Sequence, residues 1–85
     1  MNVSLDISMY PLQREYEQPI LNFIARLQTY PQLNVVPNAL STQVFGVYDE
    51  LMPILQSEIR YAFGQDIPIV IVMKLVNMDR SDVLL

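Results

Sequence analysis

The first segment of the chain constrains the fold most, because apolar and polar side chains alternate along residues 2–10 without interruption. Alternate residues of an extended chain point to opposite sides. One side is apolar and comprises Val3, Leu5, Ile7 and Met9. The other side is mostly polar and comprises Ser4, Asp6, Ser8 and Tyr10. The pattern predicts a β-strand that ends near Pro11, with one face in a core and the other face open.

Two segments have the spacing of amphipathic helices. Apolar residues recur at helical intervals between residues 15 and 30, where Pro19 suits a first turn because it lacks an amide hydrogen. A second helix is predicted over residues 49–63, and Gly64 marks its C-terminal end. Both helices have one apolar stripe, so each is expected to pack on a single surface.

Three further strands are predicted over residues 33–36, 39–47 and 67–76, with Pro37-Asn38 as a turn or bulge between the first two. The element order is then strand, helix, strand, strand, helix, strand. Right-handed crossovers place both helices on the same side of the sheet. The predicted fold class is α+β, a ferredoxin-like βαββαβ sandwich with a four-stranded antiparallel sheet and two helices on one face. It forms a single domain over residues 1–85, with the first and third strands in the centre of the sheet.

The composition excludes several kinds of chemistry. The chain has no cysteine and no histidine, so it can form no disulfide, thiolate nucleophile, imidazole base or Cys/His metal site. The hydroxyls of Ser41 and Thr42 therefore lack a histidine to activate them. Asp6 could act as a general base only if the sheet face closed over it, and no second carboxylate is spaced to pair with it. We expect a protein that is not an enzyme, with no catalytic residue and no metal.

Charge and hydropathy limit the partners. The net charge is −4, and the five basic residues are scattered along the chain, so nothing resembles the basic stripe that nucleic acid requires. The longest apolar run, Ile67 to Met73, contains Pro68 and is too short to span a bilayer. The N-terminal residues do not have the pattern of a signal peptide. We expect a cytoplasmic protein that has no membrane or nucleic-acid partner.

The last predicted strand is apolar on both faces, although its place in the fold is an edge of the sheet. Ile69, Ile71, Met73 and Leu75 point one way, and Val70, Val72 and Val76 point the other way, interrupted only by Lys74. The chain has only 85 residues, of which 52% are hydrophobic, and a domain of this size has a small core. The excess of hydrophobic residues predicts self-association as a homodimer or homotetramer. The alternative is that the C-terminal residues, with Val83, Leu84 and Leu85, fold over this surface.

The polar residues around the first three strands form a candidate ligand site. Hydrogen-bonding groups and aromatic rings in these segments suit a heteroaromatic or cationic ligand. The candidate binding residues are Asp6, Ser8, Tyr10, Asn38, Ser41, Thr42, Gln43 and Tyr48. Alternation places Ser41 and Gln43 on the face opposite to Thr42, so a single pocket would require a bulge. The alternative is that these are ordinary turn and strand-surface residues.

Three segments of the chain resemble a known family. They are ISMYPL at 7–12, NALSTQVFGVYDEL at 38–51 and MKLVNMDRSD at 73–82. The chain is similar to the small thiamine-binding proteins, which are related to the YkoF-like domains. The resemblance implies a ferredoxin-like domain that assembles through its sheet and binds thiamine, or its hydroxymethylpyrimidine moiety, without transforming it.

The resemblance also implies a location for the ligand. The pocket is expected around Ser8, Met9 and Tyr10 at the end of the first strand, together with Asn38, Ser41 and Thr42. Gly46 would allow a close turn into the second helix. Thiamine or a related pyrimidine is the ligand that the resemblance implies, and it implies no other cofactor.

Three other functions were weighed against the sequence, which argues against the first two. An acylphosphatase-like enzyme needs a glycine-bearing phosphate loop after the first strand, and residues 10–14 contain no glycine. An RNA-recognition module needs basic residues beside exposed aromatic residues, which the charge does not supply. The third alternative is a regulatory or protein-interaction oligomer that has no small-molecule ligand.

Overall fold

The computed structural model describes residues 1–82. Its six elements follow the predicted order: β1 (Asn2–Pro11), α1 (Glu17–Leu27), β2 (Asn34–Pro37), β3 (Thr42–Val47), α2 (Tyr48–Phe63) and β4 (Ile69–Val76). The four strands form one sheet in the order β2-β3-β1-β4, and every neighbouring pair is antiparallel. The ferredoxin-like fold class is confirmed, with the first and third strands in the centre.

The core lies between the two helices and one face of the sheet. All four alternate apolar residues of β1 are buried there, as the sequence pattern predicts. The buried apolar residues are Val3, Leu5, Ile7, Met9, Phe23, Leu27, Val44, Leu51, Leu55 and Ala62. Leu27 from α1 and Leu51 from α2 are completely buried, so both helices are fixed on the same face of β1 and β3.

The pairing register determines which side chains meet on the opposite, open face of the sheet. Asp6 of β1 lies between Gln43 of β3 and Lys74 of β4, and two residues earlier Ser4 lies between Phe45 and Val76. Directly paired residues of an antiparallel sheet share a face and lie within contact distance. On the open face, the polar side chains of β1 therefore form a central row, with side chains of β3 on one side and side chains of β4 on the other.

The predicted start of β3 was wrong by three residues, because residues 39–41 belong to a turn. The amide of Asn38 donates to the carbonyl of Ser41 at 2.9 Å. The side-chain Oδ1 of Asn38 accepts from the amides of Leu40 and Ser41 at 3.0 and 3.1 Å. An asparagine side chain that satisfies backbone amides in this way competes with strand pairing, which delays the start of the strand to Thr42.

The expectation that Gly46 allows a turn is also corrected, because Gly46 lies inside β3 and its φ is not positive. A Cβ atom at this position would lie 3.3 Å from the carbonyl oxygen of Gln32 and 3.3 Å from Leu33 Cδ2. The residue therefore allows the loop before β2 to approach β3 closely.

An ion pair joins the two helices away from the open face. Arg26 Nε donates to both carboxylate oxygens of Glu58, at 3.0 and 2.9 Å, and its guanidinium lies 3.6 Å from the centroid of the Tyr61 ring. The hydrogen bond with Glu58 raises the pKa of Arg26 above its ordinary value. Because Glu58 is buried, this pair satisfies a carboxylate that would otherwise be costly to bury. Neither helix over residues 1–82 is long and apolar enough to cross a membrane.

Candidate functional site

A groove of about 360 Å³ runs along the open face of the sheet. We call it the sheet-face groove. Its polar and aromatic lining consists of Ser4, Asp6, Gln43, Phe45, Lys74 and Arg80. The apolar residues that surround this lining include Val76 of β4. A concave surface of this volume with a few polar groups is typical of a small-molecule site.

Ser4 fixes one end of the groove by holding the C-terminal segment on the sheet. Its hydroxyl donates to the carbonyl of Met78 at 2.8 Å and accepts from the amide of Arg80 at 2.8 Å. Ser4 is only 8% exposed, so residues 78–80 cover it. The alternative in which Val83, Leu84 and Leu85 fold over the apolar surface of the last strand concerns residues that lie outside those the structure describes.

The acidic residue beside Arg80 is engaged elsewhere. The carboxylate of Asp79 accepts from the amide of Ser81 at 2.9 Å. Hydrogen bonds with the side chain and backbone of Ser81 lower the pKa of Asp79 below its ordinary value. Asp79 thus stays ionised within its own turn and does not line the groove.

Asp6 is the one acidic residue in the lining of the groove. Its Oδ1 atom accepts a hydrogen bond of 2.6 Å from the hydroxyl of Ser41, which lies just before β3. The hydrogen bond orients the carboxylate, while Gln43 offers an amide directly across from it. Asp6, Ser41 and Gln43 therefore share the open face, as alternation predicts.

Thr42 lies on the other face and is part of a second, smaller cavity. It is buried opposite Ile7 on the helix side of the sheet. The cavity, of about 110 Å³, lies at the end of β1 beside α1, and we call it the end cavity. Five predicted site residues line it: Ser8, Tyr10, Asn38, Ser41 and Thr42. At roughly 30 Å³ for each water in the liquid, its volume equals that of only a few water molecules.

Tyr48 lines neither the sheet-face groove nor the end cavity. It begins α2, its amide donates to the carbonyl of Met1 at 2.9 Å, and it lines a separate depression with Val3 and Leu75. The structure thus divides the eight predicted residues. Asp6 and Gln43 lie in the sheet-face groove, five others line the end cavity, and Tyr48 lies apart from both.

Four residues of the polar and aromatic lining were missing from the sequence-based site: Ser4, Phe45, Lys74 and Arg80. Alternation could have identified Phe45, which shares a face with Gln43, and Lys74, which interrupts the row of valines on β4. Arg80 had no such signal, because only the hydrogen bonds between Ser4 and residues 78–80 bring it to the groove.

No protein-family model matches the sequence, and no curated protein does. Solved structures do resemble the fold. A protein from Streptococcus pneumoniae has a TM-score of 0.83 at 27% identity, over 98% of this chain and 93% of that one. A Thermotoga maritima protein, provisionally assigned to thiamine biosynthesis or salvage, has a TM-score of 0.76 at 18% identity, over 88% of this chain and 82% of that one.

A domain of unknown function (DUF77) from Bacillus cereus has a TM-score of 0.75 at 14% identity, over 92% of this chain and 77% of that one. The likeness shows the fold. At such identities, sites can differ within one architecture, so function must be argued from the groove itself.

Proposed function

We propose that the protein binds thiamine or its hydroxymethylpyrimidine moiety in the sheet-face groove, does not transform it, and acts as a homo-oligomer. The observation that carries the proposal is the oriented carboxylate of Asp6, hydrogen-bonded to Ser41 and facing Gln43 in a groove that Phe45 also lines. The resemblance of the sequence to thiamine-binding proteins supports this ligand. The Thermotoga maritima protein of like fold supports it as well.

The polar groups of the groove match an aminopyrimidine. The ring presents acceptor nitrogens and an amino group that donates. Asp6 accepts through the oxygen that does not receive the Ser41 bond, and the amide of Gln43 can both donate and accept. Phe45 supplies an aromatic surface against which a flat ring can pack.

The same groups favour binding over catalysis. The hydroxyl of Ser4 is engaged by two backbone groups, and that of Ser41 donates to Asp6. A carboxylate is a weak base for activating an alcohol, so the pair of Ser41 and Asp6 lacks the strong base that a serine nucleophile uses. We therefore propose that these hydroxyls position other groups.

The proposed oligomer rests on the two edges of the sheet, which differ. The edge strand β2 has four residues and ends in Pro37, a residue that suits an unpaired edge. The edge strand β4 has eight residues, of which seven are apolar, and Val72 and Met73 on its opposite faces are 53% and 46% exposed. A long apolar edge with unpaired backbone groups is suited to pairing with another strand.

A second copy of this chain is the proposed occupant of the β4 edge. Antiparallel pairing of β4 with β4 about a two-fold axis at Met73 sets Val70 opposite Val76 and Ile71 opposite Leu75. An axis at Lys74 would instead set two like charges opposite each other, which is unfavourable. The pairing would form a continuous sheet of two subunits with a groove on each.

The experiment combines analytical ultracentrifugation with calorimetric titration of thiamine and of hydroxymethylpyrimidine. We expect an oligomer that binds one ligand per subunit. A monomer that binds ligand would refute the assembly alone. An oligomer that gives no heat at millimolar ligand would refute the ligand, and the function would then be that of an interaction module.

A further inference from the structure

The charge of the sheet-face groove is opposite in sign to that of the whole protein. The chain has a net charge of −4. The groove is lined by two positive side chains, Lys74 and Arg80, and by one negative side chain, Asp6. Its lining therefore has a net positive charge, which favours a ligand with a negative group.

Neither cation of the groove forms a salt bridge with a carboxylate of the described residues. Within residues 1–82, the one ion pair joins Arg26 to Glu58 on the helix side of the protein. Among residues 1–82, the side chain of Arg80 makes one weak hydrogen bond, 3.9 Å from its Nη1 atom to the sulfur of Met78. Most of the five N–H donors of its guanidinium are thus free for a ligand.

The backbone places both cations at defined positions along the groove. Lys74 is held in β4 opposite Asp6, and Val76, two residues on, lies opposite Ser4. Ser4 in turn binds the amide of Arg80. Ser4 and Asp6 are separated by two strand residues, or roughly 7 Å. Arg80 therefore starts from the Ser4 end of the groove, whereas Lys74 lies in the neighbouring row with Asp6 and Gln43.

We propose that the ligand of the sheet-face groove is a heteroaromatic compound that bears a phosphate group, with the phosphate held by Lys74 and Arg80. The ring lies against Asp6, Gln43 and Phe45. This inference rests on the proposed function, because it specifies the chemical form of the molecule that the groove binds. The two cations favour a phosphate ester over the unphosphorylated form of the same ring compound, because the phosphate compensates their charge.

Ser4 acts as a positioning residue in this proposal. Its hydroxyl binds the backbone on both sides of Asp79 and so fixes the point from which the Arg80 side chain extends. Removing this hydroxyl releases the segment without altering a group that touches the ring. The loss should therefore weaken binding of the phosphate more than binding of the ring.

The test is calorimetric titration of the full chain with four probes: thiamine, thiamine monophosphate, uridine monophosphate and inorganic phosphate. We expect thiamine monophosphate to bind about tenfold more tightly than thiamine, with the difference decreasing as salt is raised. Lys74→Gln and Arg80→Gln should each reduce this ratio about threefold or more, because each removes one charged phosphate contact. Arg60→Gln, which changes an exposed arginine of α2 outside the groove lining, should leave the ratio unchanged.

The variant Ser4→Ala should lower the affinity for thiamine monophosphate by a larger factor than that for thiamine. Far-ultraviolet circular dichroism shows whether each variant is folded. If Ser4→Ala is unfolded, the Lys74 and Arg80 variants decide the matter, because both side chains lie on the surface.

The outcomes separate this inference from the proposed function. Equal affinity for thiamine and its monophosphate would overturn the inference and leave the proposed function intact. Tight binding of uridine monophosphate with no binding of either thiamine compound would overturn the proposed ligand and support a phosphate-bearing heteroaromatic compound. Failure of all three organic probes to bind would overturn both.

Discussion

The hydroxyl of Ser41 donates a hydrogen bond of 2.6 Å to Oδ1 of Asp6, a residue 35 positions away in the chain. The bond connects the turn before β3 to the central strand β1. It holds the carboxylate of Asp6, which lines the sheet-face groove, in one orientation. Ser41 lines the end cavity, so this hydrogen bond connects the two candidate sites.

Ser41→Ala is expected to weaken thiamine binding about fivefold, since an oriented, partly exposed hydrogen bond to a charged group contributes about 1 kcal/mol. The alanine variant leaves Asp6 free to rotate away from the ligand. Calorimetric titration measures the change, and Ser57→Ala on the exposed side of α2 is the control. Unchanged affinity in Ser41→Ala would place the ligand away from Asp6.

Asn38→Ala is expected to lower the free energy of unfolding by about 1 kcal/mol, because the turn loses a side-chain acceptor of two backbone amides. Denaturant unfolding followed by circular dichroism checks this. Asn38→Asp keeps an oxygen at the same position and should retain most of the stability. A variant Asn38→Ala of native stability but reduced ligand affinity would instead support the end cavity as the binding site.

Gly46→Ala is expected to destabilise the protein by about 1 kcal/mol or more, because its Cβ would lie 3.3 Å from the backbone oxygen of Gln32. The second glycine offers a matched control. A Cβ on Gly64 would meet the oxygens of Arg60 and Tyr61 at 3.5 Å, an ordinary contact. Gly64→Ala should therefore be close to neutral, and equal losses in both variants would contradict the role assigned to Gly46.

Arg26→Met is expected to lower the thermal midpoint by at least about 5 °C, since it leaves the buried carboxylate of Glu58 without its partner. Arg60→Met replaces an exposed arginine and should change the midpoint little. Differential scanning calorimetry measures both variants. If their midpoints agree, the ion pair is not what satisfies Glu58.

Val72→Asp is expected to produce a smaller species in analytical ultracentrifugation, because a charge on the β4 edge opposes burial in a subunit interface. Leu21→Asp is the control, since Leu21 is 56% exposed on α1 compared with 53% for Val72. An unchanged sedimentation coefficient in Val72→Asp, with circular dichroism confirming a folded protein, would remove β4 from the interface.

The hydrophobic pattern of consecutive residues was sufficient to predict the helices and strands and their arrangement in the fold. The alternation in β1, the helical spacing beside Pro19 and the glycine at the end of α2 are all properties of consecutive residues, and each matched the structure closely. The start of β3 was wrong because the side chain of Asn38 competes with strand pairing, an effect that hydrophobic pattern does not report.

The candidate site was predicted less completely, since a site joins residues that are distant in sequence. The sequence correctly placed Gln43 on the face of the sheet opposite to Thr42. Tyr48 was included as an aromatic ring that could cover a ligand. It is only five residues from Gln43 in the chain, yet the intervening strand carries it to the opposite end of the sheet. Sequence distance did not indicate spatial distance here.

By itself, the sequence determined that β1 has one buried and one polar face and that the chain has no cysteine or histidine chemistry. The tertiary structure alone decided that Phe45 and Lys74 lie beside Ser4 and Asp6, because strand register depends on packing of the whole core. It also decided that Arg80 reaches the groove, because the hydroxyl of Ser4 donates to the carbonyl of Met78 and accepts from the amide of Arg80. Periodicity describes neighbours along the chain, whereas register and long-range hydrogen bonds arise only when distant segments pack together.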